Sequence, residues 1–557
     1  MHRCRTLLPI LLVALTAPAC GKSQTQLKLE AAEAEAVKLR DENARLGGEV
    51  TRKAAAVATS HAEAKSLNAA LADAQARVEA AERRIAAIAK EPAKDKRVQE
   101  DLDRVTAHRD ELKEWIEQDL LPAAEKNSPE LVNLREATES MMREVTAIRG
   151  LEWKHPIMRR RIRRAQVGEW MQRDMKKDLP EEKARDMVLV GAEMGLVKQG
   201  TNIYDIFASF LEAGAAAFYK PETRTFYHIE GNDGRGAYPV VFHELVHAVE
   251  DQYFDLDAFY RAVEGDGDAA LARRGLVEGT ASWFGEQYEM KFPADAAAMA
   301  KSQMTPELMQ KQMKMMQTVP AFLIATMGLY PYKNGKSWVG TVTGGDSAKV
   351  AAAFADPPAS TEQILHPEKY SDATRRDYPH KVAAPDLSSA LPGDWRTLES
   401  DTMGELMTGC LLSQLRFPGP AALMGVIDMA TQGYGIKEPT KTAVTGWDGD
   451  RYSAVVDPAN GRATLCWVSV WDSEQDATEF VAAYAPLVGK KVTGAKVEGD
   501  AAGQRFAEKD TGRLSSVVRE GTKVVAVLGA PADRFDAVLA AGMSAKVEAD
   551  SRDASDR

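Results

Sequence analysis

Two histidines and a glutamate stand at a spacing that suits metal chemistry. The stretch from Val241 to Asp251 contains the pattern His-Glu-x-x-His, with His243, Glu244 and His247 as its fixed positions. Apolar residues recur through the stretch at helical spacing, and a helix places residues i and i+4 on one face. The two imidazoles can therefore point at one ion, and the glutamate can reach a water beside it. Two histidines on an ordinary amphipathic helix are the alternative.

A catalytic zinc site needs a third protein ligand and leaves one position open. Glu278 is a candidate, because the segment from Arg274 to Trp283 is helix-like and its small residues allow two helices to approach closely. Three competing acids, Glu264, Asp266 and Asp268, alternate with glycines, which is typical of a loop. A glutamate on a solvated surface is the alternative for Glu278.

The segments HELVHAVEDQYFDL and LVEGTAS together resemble the gluzincin zinc peptidases, more narrowly the bacterial and archaeal families similar to peptidase MA. The stretches AAAFYKPETRTFYHIEG, GLYPYKNGKSWV and PPASTEQILHPEKY are similar to those families as well. The similarity covers residues 151–370 well and the later part more loosely. It implies Glu278 as the third zinc ligand beside the two histidines, and Glu244 as the general base. Thr280 departs from the pattern, because an acidic residue is expected there.

A peptidase also needs a donor for the oxygen that becomes negatively charged during hydrolysis. The segment from Tyr330 to Gly335 is the best source, since a phenol can donate a hydrogen bond to that oxygen. The sequence does not decide between Tyr330 and Tyr332. His366 is a rival donor, although capping or packing is the commoner role for such a histidine. A structural turn is the alternative for the two tyrosines.

The elements on either side of the His-Glu-x-x-His helix can be placed from their residue spacing. Residues 215–229 change to an alternating pattern around a Lys-Pro-Glu-Thr turn, which predicts a β-hairpin. The resemblance implies that a strand beside the zinc helix binds the peptide by strand addition. Residues 292–327 are rich in methionine at helical spacing, which favours adaptable core packing. A surface for varied apolar side chains of a substrate is the alternative.

The N-terminus has the features of an export signal. A basic start, an apolar run from Leu7 to Leu15 and small residues before Cys20 predict a signal peptide over residues 1–19. The apolar run is too short to be a permanent membrane span. The segment ending in Cys20 resembles a bacterial lipobox, which implies a lipid anchor on that cysteine and a place in the cell envelope. An ordinary secreted protein with an incidental Cys20 is the alternative.

Four further regions follow from composition and periodicity. Residues 20–122 comprise the anchor, a polar tether and heptads that predict a coiled-coil stalk, through which a homo-oligomer could form. A single solvated helix is the alternative. We expect the catalytic domain over 123–435 and a small α+β domain over 436–545, with a hairpin at an Asn-Gly turn. The polar residues 546–557 are expected to be disordered.

Charge and cysteine content limit the function classes. A net charge of −11 argues against a nucleic-acid partner. Cys410 and Cys466 could form a disulfide in an oxidising envelope, or remain two buried thiols. The sequence thus predicts an α+β, mainly helical, membrane-anchored zinc metallopeptidase that acts on peptides or proteins. Its rival is a non-catalytic coiled-coil lipoprotein scaffold whose head only binds peptides, although an intact Glu244 weighs against that.

Overall fold

The computed structural model describes most of the chain from residue 129 onwards. The described residues are 72–87, isolated helical positions in 105–113 and 167–176, and the stretches 129–163, 179–212, 216–230, 234–416, 442–492, 496–499, 503–509 and 511–552. The predicted signal peptide, Cys20 and most of the predicted stalk lie outside them. The chain divides into two compact units, Met1–Ala72 and Asp73–Arg557, and the second is described below. Within the described ranges, no helix has both the length and the apolar character needed to cross a membrane.

The larger part of the second unit is helical. Its first helices are α1 (Pro129–Arg149), α2 (Glu181–Met194), α3 (Ile203–Glu212), α4 (Tyr238–Phe254), α5 (Leu256–Arg261), α6 (Gly267–Lys291), α7 (Pro293–Gln303) and α8 (Pro306–Thr318). Two π-helical turns, Ile324–Leu329 and Pro331–Gly335, precede α9 (Lys336–Thr343), α10 (Ser347–Ala355), α11 (Thr361–Leu365), α12 (Glu368–Ser371) and α13 (Gly404–Arg416).

Helix α4 is buried on almost every side. Pro239 stands in its first turn, where a missing N–H costs nothing, and Asp255 ends it with a φ of 48°. The Asp255 side chain then accepts a hydrogen bond from Ala258 N and so caps α5. The apolar residues of α4 are enclosed by the other helices in one core, to which they contribute Phe242, Leu245, Val246 and Val249. The His-Glu-x-x-His segment is therefore held rigidly.

Helix α6 lies against the second π-helical turn at backbone distance. A Cβ added at Gly279 would overlap the main chain of Gly335, and a Cβ at Gly335 would overlap the carbonyl of Gly275. No side chain fits between the two elements, so glycine is required at this contact. The prediction that small residues near Glu278 permit a close approach is confirmed.

A small sheet lies beside α4. It contains β1 (Met158–Ile162), β2 (Ala217–Lys220) and β3 (Thr225–Ile229) in the order β1-β3-β2. Strands β2 and β3 pair in antiparallel fashion, which confirms the predicted hairpin. Strand β1 runs parallel to β3, so β2 is left as an edge strand of this sheet.

The C-terminal region forms a seven-stranded antiparallel sheet. In spatial order its strands are β5 (Arg396–Asp401), β6 (Trp447–Val456), β7 (Ala463–Trp471), β11 (Lys523–Ala530), β10 (Leu514–Glu520), β9 (Gly503–Ala507) and β8 (Lys496–Gly499). Helix α14 (Glu474–Lys491) packs on one face and α15 (Phe535–Met543) on the other. The predicted hairpin at the Asn-Gly turn is β6–β7.

The expected domain boundary at residues 435 and 436 lies inside this sheet region, because β5 already pairs with β6. Helix α13 follows β5 and belongs to two cores at once. Leu406 and Cys410 pack with the helical part, whereas Leu411 and Leu412 pack under the sheet. A helix that buries two opposite faces joins the two regions, and a pattern of apolar residues alone does not reveal which neighbour each face has.

Three further expectations need correction. The tail was expected to be disordered from residue 546, but β12 (Val547–Glu548) pairs with β4 (Lys381–Val382) and Asp550 is buried. Cys410 and Cys466 are both free thiols and lie in different cores, so the disulfide alternative is wrong. Most methionines of α8 are not core residues: Met315 packs against a core cluster, but Met309, Met313 and Met316 are exposed and the helix has no fully buried position.

The described part of the predicted stalk is the helix over residues 72–87 together with a few helical positions in 105–113. Ala74 and Ala81, which share one predicted heptad position, are buried. Glu82 forms a 2.7 Å ion pair with Lys113, so the two predicted helices of this region lie side by side here. The remaining heptads lie outside the described residues.

Candidate metal centre

Two helices bring three candidate ligands to one point. His243 and His247 lie one turn apart on α4, and Glu278 lies in the middle of α6. The two Nε2 atoms are 3.1 Å apart. Glu278 Oε2 lies 3.1 Å from His243 Nε2 and 3.3 Å from His247 Nε2. The structure thus brings together the three residues expected from the sequence to be ligands.

The spacing of these three atoms fits a zinc ion. Bonds of about 2.0–2.1 Å to three corners of a tetrahedron require ligand atoms roughly 3.3–3.4 Å apart. The observed separations of 3.1 to 3.3 Å are within a few tenths of an ångström of that. Two imidazole nitrogens and one carboxylate oxygen are also a donor set of catalytic zinc sites. Lone pairs that converge in this way repel one another unless a cation or a proton lies between them.

The protonation of the three residues follows from their proximity. Burial by itself lowers the pKa of His247, but the hydrogen bond and charge of Glu278 raise that pKa to about 9. Burial by itself raises the pKa of Glu278, but hydrogen bonds from His243 and His247 hold it well below its usual value. In the metal-free protein a proton on His247 therefore balances the carboxylate. A metal ion has to displace that proton.

Glu244 is one residue from the first ligand and is tied to the edge strand. Its Oε2 accepts a hydrogen bond from the main-chain N–H of Tyr219 at 2.8 Å. The Tyr219 hydroxyl donates in turn to Asp251 Oδ2 at 2.7 Å, so β2 is attached to α4 at two points. Burial raises the pKa of Glu244, although the neighbouring histidines oppose this rise. A carboxylate so placed can accept a proton beside the ligands.

A buried ion pair fixes the helices behind the ligands. Arg149 Nε of α1 donates to Glu250 Oε1 of α4 at 2.7 Å, and both side chains are fully buried. Thr280 of α6 donates from its hydroxyl to Glu250 Oε2 at 2.9 Å. Thr280, which departs from the expected acidic residue, thus supplies a neutral donor to a carboxylate from α4. Arg149, Glu250 and Thr280 together thus join three helices close to the candidate ligands.

A cavity of about 1220 Å³ opens onto the ligands. Phe218 of β2, Val240 of α4, Leu271 of α6 and Met299 of α7 are among the apolar residues of its wall. A concave, largely apolar cavity with a few convergent polar groups is the kind of place in which proteins bind ligands.

The structure separates the candidate oxyanion donors. Tyr332 lines the cavity, and its ring centroid is 5.9 Å from that of His243. The charge of Glu278 and burial raise the pKa of Tyr332, so its phenol keeps the proton that it would donate. Tyr330 is completely buried outside the cavity wall, with its hydroxyl beside Gly275. His366 lies 3.0 Å from Glu405 in an ion pair. The geometry favours Tyr332.

Sequence reasoning gave no role to Arg274, a charged residue of this cavity. Arg274 is on α6 one turn before Glu278, and its Nη2 lies 3.8 Å from Glu278 Oε1. Its guanidinium also donates a hydrogen bond to Tyr332. The sequence contained a signal for this, because Arg274 and Glu278 are four residues apart and residues at that spacing share one face of a helix.

A second acidic cluster does not fit a metal ion. Glu362, Asp377 and Asp472 converge, but Lys369 Nζ lies among them at 2.6, 2.7 and 3.1 Å. The ammonium group already supplies the positive charge that these carboxylates need.

Comparisons with known proteins concern mainly the C-terminal sheet. Residues 395–539 match a family described as a domain of unknown function (DUF8575). The match begins at β5 and ends within α15, and so coincides with the sheet region rather than with the ligands. No curated protein and no solved structure matches the chain.

Proposed function

We propose that this protein is a zinc-dependent peptidase, with a gluzincin-like head that hydrolyses peptide bonds. The observation that supports this most is the convergence of His243, His247 and Glu278 at 3.1 to 3.3 Å, with Glu244 beside them in a large cavity. A zinc ion held by the three ligands would polarise the scissile carbonyl and acidify a nearby water.

The residues of the chain divide the remaining work. Glu244 accepts the proton of the attacking water and returns it to the nitrogen of the leaving amine. Tyr332 donates a hydrogen bond to the carbonyl oxygen as it gains negative charge. The apolar wall of the cavity excludes bulk water and so strengthens both interactions.

The edge strand β2 offers a place for an extended substrate. Ile229 N donates to Ala216 O, and main-chain groups alternate in direction along an antiparallel strand. The main-chain groups of Ala217 and the carbonyl of Tyr219 therefore point away from β3, towards an added strand, while the Tyr219 N–H on the same side already donates to Glu244. A peptide paired there would lie along the cavity wall, which both residues help to form.

The remaining expectations are part of the same proposal. A lipid on Cys20 would anchor the protein in the cell envelope, and a coiled-coil stalk would carry the head away from the membrane and could join copies of the chain. These statements rest on the sequence of residues 1–122.

The test is hydrolysis of a peptide library by the zinc-loaded protein and its Glu244→Gln variant. The amide has nearly the same shape but cannot accept a proton, so hydrolysis should fall by about 10²–10⁴-fold. Zinc content should be unchanged, because Glu244 is not a ligand. A wild-type protein that binds peptides, cleaves none and behaves like Glu244→Gln would instead be the non-catalytic scaffold.

A further inference from the structure

Arg274 has donors that the described residues do not use. Its Nη2 is 3.8 Å from Glu278 Oε1, which is too far for a hydrogen bond. Its Nε is buried and has no hydrogen-bond partner among the residues that the structure describes. Among the described residues its guanidinium is hydrogen-bonded to Tyr332, which also lies on the cavity wall. A planar guanidinium carries five N–H donors, so several remain for a ligand in the cavity.

The position of this guanidinium relative to the ligands defines what it can reach. Glu278 Oε2 faces the two histidines, while Glu278 Oε1 faces Arg274. The guanidinium is therefore separated from the metal position by a single carboxylate group. A substrate oxygen beside that position, on the side of Glu278 Oε1, would face the cavity-lining groups Arg274 and Tyr332.

We propose that Arg274 is a catalytic residue that, together with Tyr332, binds the negatively charged oxygen formed during peptide hydrolysis. The proposal rests on the proposed peptidase function. The oxygen of water bonds to the carbonyl carbon, its proton passes to Glu244, and the π electrons of the carbonyl become a lone pair on its oxygen. Arg274 donates an N–H hydrogen bond to this oxygen. When the C–N bond breaks, the carbonyl re-forms and Glu244 gives the proton to the amine nitrogen.

A charged, planar donor suits this task better than a phenol alone. Hydrogen bonds from a cation to an anion are roughly twice as strong as neutral ones. Such a bond strengthens only as charge develops on the oxygen, so it lowers the barrier more than it improves binding of the peptide. Arg274 should therefore act on kcat rather than on KM.

The test compares Arg274→Gln and Arg274→Lys with Arg273→Gln. Arg273 is the matched control, because it is adjacent on α6, carries the same charge, and places its guanidinium 4.6 Å from the Phe259 ring. Loss of one oxyanion donor reduces kcat by about 10²–10³-fold, and Arg274→Gln should do so with unchanged KM. Arg274→Lys should recover part of the loss, and Arg273→Gln should keep normal values.

Binding of a phosphinic peptide provides a readout that needs no turnover. Its tetrahedral, negatively charged phosphinate mimics the charged intermediate. Calorimetry with zinc-loaded protein should show that Arg274→Gln binds the phosphinic peptide roughly 10²-fold more weakly than wild type. A peptide whose scissile amide is replaced by an uncharged CH2–CH2 linkage should bind equally to both proteins.

Three results would overturn the proposal. A loss confined to peptides with a free C-terminus would make Arg274 a binder of the substrate carboxylate. A large fall in zinc affinity would make it a residue that only orients Glu278. Equal weakening of the charged and uncharged analogues would give it a merely structural role. If the wild type cleaves no peptide, the peptidase function fails, whereas the analogue measurements still test the anion site.

Discussion

Whether a buried carboxylate of this protein is charged depends on the groups that surround it. Glu278 is held in its charged form by two histidines, which suits a metal ligand. Asp450 of β6 has no cation beside it among its described partners. Its oxygens accept hydrogen bonds from the N–H groups of Met403 and Gly404, at 2.8 and 2.9 Å, and from Trp447 Nε1 at 2.8 Å. It thereby connects the sheet to the start of α13.

Asp450 should make stability depend on pH. Burial raises its pKa from 3.8 to about 6, although the hydrogen bonds that it accepts oppose the shift. Between about pH 4 and pH 6 the folded protein holds a proton that the unfolded chain has lost, so this residue's contribution to stability falls as pH rises. Two pKa units correspond to on the order of 3 kcal/mol. The free energy of unfolding of wild type should fall by that order relative to Asp450→Asn between pH 4 and pH 7, as measured by urea unfolding.

The control for that measurement is Asp386→Asn. Asp386 is exposed, and hydrogen bonds from Ser388 and Ser389 lower its pKa. The difference in free energy of unfolding between Asp386→Asn and wild type should change little with pH. The small change should favour wild type as pH rises, which is opposite to the change expected for Asp450. A pH-independent difference for Asp450→Asn would show that this carboxyl is not protonated in the folded protein.

The sequence predicts some residues of the site better than others for physical reasons. His243, Glu244 and His247 belong to one helix, so their spacing alone fixes their relative positions. Glu278 comes from another helix, so its helix-like segment and small neighbours made it one candidate among several acids, and the resemblance singled it out. Tyr330 and Tyr332 are close in sequence, but the π-helical turn directs one into the core and the other into the cavity. That choice depends on a non-standard helix geometry that residue types do not specify.

At the scale of elements, the approach of α6 to the second π-helical turn positions both Glu278 and Tyr332. The approach is possible because Gly279 has no side chain. Gly279→Ala should be destabilised by about 1–3 kcal/mol, the usual cost of overpacking, and should bind zinc more weakly because α6 is displaced. Thermal unfolding and zinc titration measure the two effects.

The same helix supplies the control. Gly285→Ala adds the same methyl group to α6, but no atom lies within 4 Å of the new Cβ. Since alanine favours a helix over glycine, this variant should be more stable by roughly 0.5–1 kcal/mol. Equal stability and equal zinc affinity of the two variants would mean that the contact between Gly279 and Gly335 does not position Glu278.

Strands held by contacts between neighbouring residues were easier to predict from the sequence than strands that pair with distant segments. The two hairpins were predicted because alternation and turn residues are local signals. Strand β5 was not assigned to the C-terminal sheet, because its partner β6 is separated from it by α13 and the intervening chain. The pairing of β12 with β4 also joins distant segments, and the polar composition of the tail gave no indication of it.

At the scale of the whole molecule, the helical part carries the candidate ligands and the C-terminal sheet contacts the helix that bears one of them. Asp401 of β5 accepts a 2.7 Å hydrogen bond from Gly267 N at the start of α6. Arg451 of β6 donates to the carbonyl of Gly265 at 2.8 Å. The sheet region is therefore connected to the helix that carries Glu278. The family of unknown function matches residues 395–539, which include this sheet and none of the three candidate ligands.

The central claim is that His243, His247 and Glu278 hold one zinc ion, and elemental analysis of the dialysed, purified protein tests it most directly. Wild type should contain about one zinc per chain, and His243→Ala or His247→Ala should contain almost none. Asp472→Asn, which alters the cluster around Lys369, should retain the metal. A wild type without zinc after exposure to excess metal, or a stoichiometric zinc content in either histidine variant, would contradict the account.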